Sequence, residues 1–166
     1  MNGMWGYKIQ DQDYKSVSTI VHYLVQAAGL NANLLLNIGP QADGQLPDAA
    51  LERLQGMGEW LKVYGDTIYG TQGSDFPAQT WGTMTKKDNV IFVHILTPEA
   101  PVIFVPMNKN IYVKGASRFV DQEPVKFRNL PDGVILELGF IPDEIDYVVE
   151  LITTPVAIRK KLEWFQ

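Results

Sequence analysis

The feature that most constrains the fold is a short apolar run between two helical segments, at residues 33–38. It reads Asn-Leu-Leu-Leu-Asn-Ile and is bounded by polar, Gly and Pro residues. A largely apolar run of this length predicts a parallel strand that is covered on both faces. Residues 39–44, which begin with Gly-Pro and end with Asp-Gly, predict the loop that follows it.

Both flanking segments show helical periodicity. Upstream, apolar residues three and four positions apart form one stripe, with Asp13 or Ser16 as the N-cap and Gly29 as the stop. Downstream, a second helix begins near Pro47 and ends at Gly65. Helix, buried strand, loop and helix in this order are the repeat of an α/β barrel or of a doubly wound sheet.

The pattern changes after Gly70. Residues 71–79 are small, polar and contain proline, and we assign them to a linker between a first unit, residues 1–70, and a second unit, residues 80–166. In the second unit, short β-rich runs alternate with turn signals and no helical stretch separates them. This spacing predicts an all-β antiparallel sandwich. The predicted strands are residues 80–85, 90–96, 102–105, 111–113, 125–128, 134–138, 147–153 and 156–159.

The apolar run of the first unit has no evident strand neighbours in this sequence. Parallel strands survive inside sheets that helices cover, and an uncovered apolar edge invites association. The missing strands therefore sit on another polypeptide or a longer parent, or the run packs against the sandwich or a second copy of the chain. The Trp5-Gly6-Tyr7 cluster is typical of a domain interior, and the N-terminus lacks the charged region and apolar stretch of a signal peptide. We expect the chain to begin inside a domain.

Composition excludes several classes of function. The net charge is −5 and the acidic residues are scattered, which argues against nucleic acid as a partner. The one basic cluster, at residues 159–161 (Arg-Lys-Lys), is typical of a solvated strand end. The chain has no cysteine, so disulfides and thiolate metal sites are excluded, and no apolar run of about 18 residues predicts a membrane span.

Two histidines without carboxylates at ligand spacing predict no metal site. His22 is expected at the edge of the first helix's apolar stripe, and His94 at the surface or boundary of the sandwich. The sequence has neither a Gly-rich phosphate loop nor a Ser nucleophile elbow, and we expect no cofactor.

Several motifs of the first 70 residues occur together in one enzyme family. The segment Trp5-Gly6-Tyr7, an amphipathic helix and then residues 33–44 resemble the end of the catalytic barrel in family 29 α-L-fucosidases. The resemblance continues through residues 58–61 (Gly-Glu-Trp-Leu) to residues 68–71 (Ile-Tyr-Gly-Thr). It implies that the first unit is the C-terminal end of a (β/α)8-like barrel. The rest of the chain matches the family in architecture, as a β-sandwich that follows the barrel.

The resemblance also implies an activity, the hydrolysis of terminal α-linked L-fucose with retention of configuration. Retaining glycosidases use two carboxyl groups about 5–5.5 Å apart. In the family both lie upstream of the matching motifs, so we transfer no catalytic residue and expect the isolated chain to be inactive. The implied substrate of the parent enzyme is a fucosylated glycan, and the family's habit is export to a periplasmic or extracellular space.

Three residues are candidates for substrate contact. Trp5 precedes a barrel helix, where loops build the active face, and its ring could stack on the apolar face of a sugar or anchor the loop. Tyr7 is a weaker candidate from the same segment. Asn37 lies at the end of the predicted strand, where it could bond substrate or satisfy backbone groups as the chain leaves the sheet.

The sandwich offers a rival function, a non-catalytic carbohydrate-binding or structural module. Its acidic residues could form a carboxylate pair, although turns and solvent faces are their usual place. Its aromatic residues could form a sugar-stacking platform, although core and interdomain packing explains them better. The acidic residues are Glu123, Glu137, Asp143, Glu144 and Asp146, and the aromatic ones are Trp81, Phe104, Tyr112 and Phe119.

Overall fold

The computed structural model of the protein describes residues 1–109 and 111–155. Two α-helices, α1 (Val17–Gly29) and α2 (Asp48–Tyr64), precede a short 3-10 helix, Gly65–Thr67. Within the described residues, eight strands follow: β1 (Gln72–Gly73), β2 (Gly82–Lys87), β3 (Val90–Ile95), β4 (Val102–Pro106), β5 (Ile111–Arg118), β6 (Lys126–Leu130), β7 (Gly133–Glu137) and β8 (Tyr147–Pro155). The predicted strand 156–159 and the basic cluster at 159–161 lie outside the described residues. Neither α-helix is long and apolar enough to cross a membrane.

Local chemistry explains where the two helices begin and end. The Ser16 hydroxyl accepts a hydrogen bond from the backbone N–H of Thr19 at 3.1 Å, which makes Ser16 the N-cap of α1. Pro47 precedes α2, and the helix tightens into the 3-10 turn at Gly65. Both predicted helices are confirmed.

The predicted strand at residues 33–38 is wrong for this chain, because the segment is irregular. The N–H and C=O groups of a parallel strand need partners on neighbouring strands, and neither of the two sheets in the described part of the chain includes this segment. Leu36 and Ile38 pack on a small cluster of Met1, Ile20 and Ala50, whereas the Leu35 side chain faces solvent. The segment is therefore held on one side only.

The second half is a two-layer antiparallel β-sandwich. One sheet has the order β1-β2-β3-β8-β5 and the other β4-β7-β6. Every pairing among the described residues is antiparallel, and the seven strands predicted there are confirmed. Their ends shift by at most two residues, except that β5 extends five residues beyond the predicted 111–113. Strand β1 lies inside the segment that the sequence assigned to a linker, where it pairs with β2.

Side chains alternate between the inner and outer faces of the strands, and the inward-facing ones form the core between the two sheets. In β4 and β7 the residues that face inward are apolar and buried, as with Val105, Val134 and Leu136. From the other sheet, Val93 and Leu151 meet them in the same cluster. This interior has the layered packing that a sandwich requires.

The helices cover the outer face of the five-stranded sheet. Val21, Val25 and Trp60 of the helices form one buried cluster with Leu96, which follows β3. A row of aromatic rings continues the contact: Tyr64 stacks on Trp60 at 5.3 Å and on Phe119 at 6.0 Å between ring centroids. The described fold is therefore a pair of helices with an irregular N-terminal region, packed on an antiparallel sandwich.

This cover corrects the prediction for His94, which is fully buried rather than at the surface or boundary. His94 points toward the helical side of β3, and its Nε2 lies 3.2 Å from the Thr85 hydroxyl. That hydroxyl donates to the carbonyl of Thr67 in the 3-10 helix at 2.6 Å. Side chains of β3 alternate between the core face and the outer face of the sheet. Because the helices cover the outer face, neither face of the strand is a solvent face. His22, in contrast, is half-buried as expected, with Nε2 2.7 Å from the carbonyl of Ile145.

Candidate functional site

The N-terminal segment lies against the irregular run 34–39 and builds a small site with it. Met1 is 7% exposed in the cluster with Ile20 and Ala50. Its α-amino group donates a hydrogen bond of 2.7 Å to the carbonyl of Asn37. Burial, and next the positive charge of Lys15, lower the pKa of this amino group below its usual value. The segment is thus anchored at its first residue.

Asn37 also fixes the loop that carries Trp5. Its side-chain Nδ2 donates to the carbonyl of Trp5 at 2.6 Å, across 32 positions of sequence. The structure therefore joins two of the three predicted site residues directly. In this contact Asn37 satisfies a backbone carbonyl, which is the structural role that the sequence offered as the alternative to substrate contact.

Gly39 allows the closest approach between the two segments. A Cβ at this position would lie 2.4 Å from the backbone N of Tyr7 and 2.5 Å from the carbonyl carbon of Gly6. Both neighbours are backbone atoms, so they could not move aside without displacing the loop. A glycine is needed here for space.

A cavity of about 240 Å³ opens between the loop and the irregular run. Trp5 and Asn37 line it, and the Trp5 side chain is 77% exposed. Tyr7, 37% exposed, is not among the lining residues. The cavity is completed by Asn2, Gly3, Met4, Lys15, Tyr23 and residues 34–36, with Met1 at its edge.

Sequence reasoning missed two of the polar lining residues, Lys15 and Tyr23. Lys15 stands just before the cap of α1, and its backbone N–H donates to the carbonyl of Met1 at 3.2 Å. Tyr23 lies on α1 outside the buried stripe. The helical phase of α1 could have indicated that Tyr23 faces a neighbouring segment, but it could not have indicated which one.

The lining of this cavity combines apolar surfaces with hydrogen-bond donors. It has an indole, a phenol, two amides, the Lys15 ammonium group and apolar side chains, and no carboxylate among the described residues. The indole offers a flat apolar face, and the amide and ammonium groups can donate hydrogen bonds. Among residues 1–109 and 111–155, no cluster of three His, Asp or Glu side chains is arranged to hold a metal ion.

The acidic and aromatic candidates of the sandwich do not gather in one place as a set, although two of the acidic residues, Glu123 and Glu137, line the same cavity. Asp146 is buried against His94, and Glu144 is paired with Arg118. Trp81 is in the core, where its Nε1 donates to the carbonyl of Phe104 at 3.2 Å. Phe119 packs edge-to-face on Phe92, and only Phe104 and Tyr112 of the four aromatic residues are largely exposed.

Known proteins match this chain through both halves. The family model described as alpha-L-fucosidase matches residues 1–66. The plasma alpha-L-fucosidase of Homo sapiens is 31% identical over 144 residues, a match that covers 81% of this chain and 31% of the relative. The chain thus spans about a third of the length of the curated relatives it matches, as with the 31% of the Pongo abelii plasma alpha-L-fucosidase.

Solved structures extend the match to the sandwich. The alpha-L-fucosidase isoenzyme 1 from Paenibacillus thiaminolyticus superposes with a TM-score of 0.80 at 32% identity, over 92% of this chain and 38% of that one. The alpha-fucosidase of Thermotoga maritima, in complex with a mechanism-based inhibitor, gives a TM-score of 0.72 at 33% identity, over 89% of this chain and 37% of that one. Helices and sandwich therefore occur together in both structures.

Proposed function

Because the chain belongs to the α-L-fucosidase family, as its C-terminal part, we propose that it completes the catalytic barrel of an enzyme that releases terminal α-L-fucose from glycans. In this proposal residues 1–70 are the last part of the barrel, residues 71–79 lead out of it, and residues 80–166 form the sandwich that packs on it. The observation that carries the proposal is the one-sided packing of residues 33–38.

The exposed apolar residues support a missing neighbour. Leu35 is 80% exposed, Ile9 66% and Trp5 77%. Single exposed apolar side chains are ordinary, but these three lie on the N-terminal loop and the irregular run, the two segments that bound one cavity. Neighbouring barrel strands would cover Leu35 and pair the backbone of its segment, and the irregular run would then become a strand.

Trp5, Tyr7 and Asn37 contribute to substrate binding in this proposal. The Trp5 indole packs on the apolar face of the 6-deoxy sugar, and Asn37 holds the Trp5 loop through its 2.6 Å hydrogen bond. Tyr7 borders the same loop, with its backbone against Gly39. The exposure of the Trp5 ring supports its role, since the loop is anchored through Met1 and Asn37 and does not need the indole as an anchor.

The two catalytic carboxyl groups come from barrel strands outside this chain. Retaining glycosidases need a nucleophile and an acid/base about 5–5.5 Å apart, and no carboxylate lines the cavity beside Trp5. The chain alone is accordingly inactive in this proposal, and a fucosylated glycan is the substrate of the complete enzyme.

The test is hydrolysis of 4-nitrophenyl α-L-fucoside by the purified chain, by the barrel segment of a family relative, and by their mixture. Activity that appears only in the mixture supports the proposal. Hydrolysis by the chain alone, free of contaminating enzyme, would refute the claim of missing carboxylates. Sedimentation of the chain alone tests the rival occupant of the apolar surface, because a stable dimer would assign it to a second copy.

A further inference from the structure

A second and larger cavity, of about 410 Å³, opens at one end of the sandwich. It lies where the connection from β5 to β6 meets the connection from β7 to β8, and it shares no residue with the cavity beside Trp5. Its volume is within the range of about 300–1,000 Å³ that is typical of small-molecule sites. The residues that matter for its chemistry are Arg118, Glu123, Glu137, Phe140 and Tyr147.

Arg118 ties the two connections together beside the cavity. One guanidinium nitrogen, Nη1, donates to Asp121 of the first connection at 2.9 Å, and Nη2 donates to Glu144 of the second. The guanidinium carbon lies 5.3 Å from the centroid of the Tyr147 ring. A planar cation fixed by two carboxylates and an aromatic face has little freedom left, so the walls are preorganised.

Arg118 retains one donor without a partner. Its Nε is shielded from solvent and makes no hydrogen bond within the described residues, although Arg118 is one of the residues that line the cavity. A buried N–H without an acceptor costs free energy, and the two carboxylate partners of Arg118 offset that cost.

The walls combine an exposed ring with free acceptors. Phe140 follows Gly139, which has a φ of 65°, and Phe140 is 89% exposed. Glu123 and Glu137 line the cavity, and neither makes an ion pair within residues 1–109 and 111–155. Counting the partners of Arg118, the site carries one positive and four negative groups.

We propose that this cavity is an accessory binding site for a neutral saccharide, separate from the barrel. A sugar ring has an apolar face of C–H groups, which suits the Phe140 ring, and a rim of hydroxyl donors, which suits the two carboxylates. The excess of negative charge disfavours anionic ligands such as sulfated or sialylated sugars. An apolar ligand is disfavoured because it would bury the carboxylates without partners.

The experiment is an NMR titration of the ¹⁵N-labelled chain with 2′-fucosyllactose and, separately, lactose. We expect saturable shifts at the amides of Glu123, Gly139 and Phe140, with a dissociation constant on the order of 1 mM, a value typical of weak binding. Phe140→Ala should weaken binding by about 3- to 10-fold, because aromatic packing contributes on that scale. Glu137→Gln should weaken it as well, since an amide is a poorer acceptor than a carboxylate.

Tyr112→Ala is the matched control, because Tyr112 is an exposed aromatic residue of the same sandwich that does not line the cavity. Its binding should equal that of the parent chain. Equal losses in Phe140→Ala and Tyr112→Ala, shifts confined to Trp5 and Asn37, or no shifts in the folded chain would each overturn the site. Saturation by tetralysine but by neither sugar would overturn the ligand class.

Sugar binding by the sandwich and fucoside hydrolysis by the reconstituted mixture can be measured separately. Phe140→Ala should leave hydrolysis of 4-nitrophenyl α-L-fucoside by the reconstituted mixture unchanged, because Phe140 does not line the cavity beside Trp5. A loss of sugar binding with full hydrolysis therefore supports the accessory site, whereas an inactive mixture concerns only the barrel proposal.

Discussion

His94 Nδ1 lies 2.7 Å from Asp146 Oδ2, and both side chains are completely shielded from solvent. The ring's other nitrogen is 3.2 Å from the Thr85 hydroxyl, which in turn is bonded to the 3-10 helix. The other carboxylate oxygen, Oδ1, has no hydrogen-bond partner within the described residues. This buried network of polar side chains therefore links the helical part to the sandwich, and we expect substitutions within it to be destabilising.

Removing one member of the pair should be more harmful than removing both. His94→Leu leaves the Asp146 carboxylate buried and unpaired, and we expect a loss of about 3–5 kcal/mol in the free energy of unfolding. The double variant His94→Leu/Asp146→Leu should recover much of that loss, because no charge is left inside. Urea unfolding followed by circular dichroism measures both, and additive losses would contradict this interpretation.

Trp5 should affect substrate binding rather than stability. Because its side chain is 77% exposed, Trp5→Ala should change the free energy of unfolding by less than about 0.5 kcal/mol. In the reconstituted enzyme the same change should raise KM for the fucoside at least several-fold. Tyr112→Ala, also an exposed aromatic residue, is the control and should leave KM unchanged.

Gly39 should tolerate no side chain. The added methyl group of Gly39→Ala would collide with the backbone of Gly6 and Tyr7, so the Trp5 loop must detach. We expect loss of the Asn37–Trp5 hydrogen bond and faster proteolysis of the loop. In an NMR spectrum, the amide chemical shifts of residues 5–7 should move to the values of an unstructured segment. Gly58→Ala is the control. Nothing lies within 4 Å of its added methyl group in α2, and the change should stabilise the helix by about 0.5–1 kcal/mol.

A substitution at Leu35 should impair assembly with the barrel segment without affecting folding of the isolated chain. Leu35→Asp exposes a charge where a leucine is already 80% exposed, so the isolated chain should unfold at the same urea concentration within error. Reconstitution of fucoside hydrolysis with the barrel segment should be abolished, because the charge would be buried among barrel strands. Val102→Asp, 49% exposed on the sheet away from the helices, is the control and should reconstitute fully.

Tyr64 should make stability fall at high pH. Burial first, and then the charges of Glu144 and Asp146, raise the pKa of Tyr64 from 10.0 to about 12. The folded state keeps this proton when the unfolded state has lost it. The contribution is therefore complete below pH 10 and is lost as the pH rises toward 12. Unfolding measured from pH 9 to 12 should show a smaller decline for Tyr64→Phe than for the parent chain. An identical decline would contradict the assignment.

Much of the fold follows from local patterns that need no tertiary information. The Ser16 cap, the apolar stripe ending at Gly29 and the proline before α2 fix both helices. Alternating side chains and turn residues fix the strands of the sandwich. The Trp-Gly-Tyr segment, residues 33–44, residues 58–61 and residues 68–71, in that order, indicate the family. Each of these signals lies within a few residues of the element it specifies, which is why sequence alone carries it.

Other features depended on what lies opposite a residue in space. Residues 33–38 have the composition of a strand but form none here, since a strand's backbone bonds are supplied by neighbours. His94 is buried because the helices cover its sheet, and its partner Asp146 is 52 positions away. The contact between Asn37 and Trp5 and the clamp of Arg118 likewise join distant segments. The sequence by itself determined the elements and the family, whereas the packing of one element against another decided burial, pairing and the shape of both cavities.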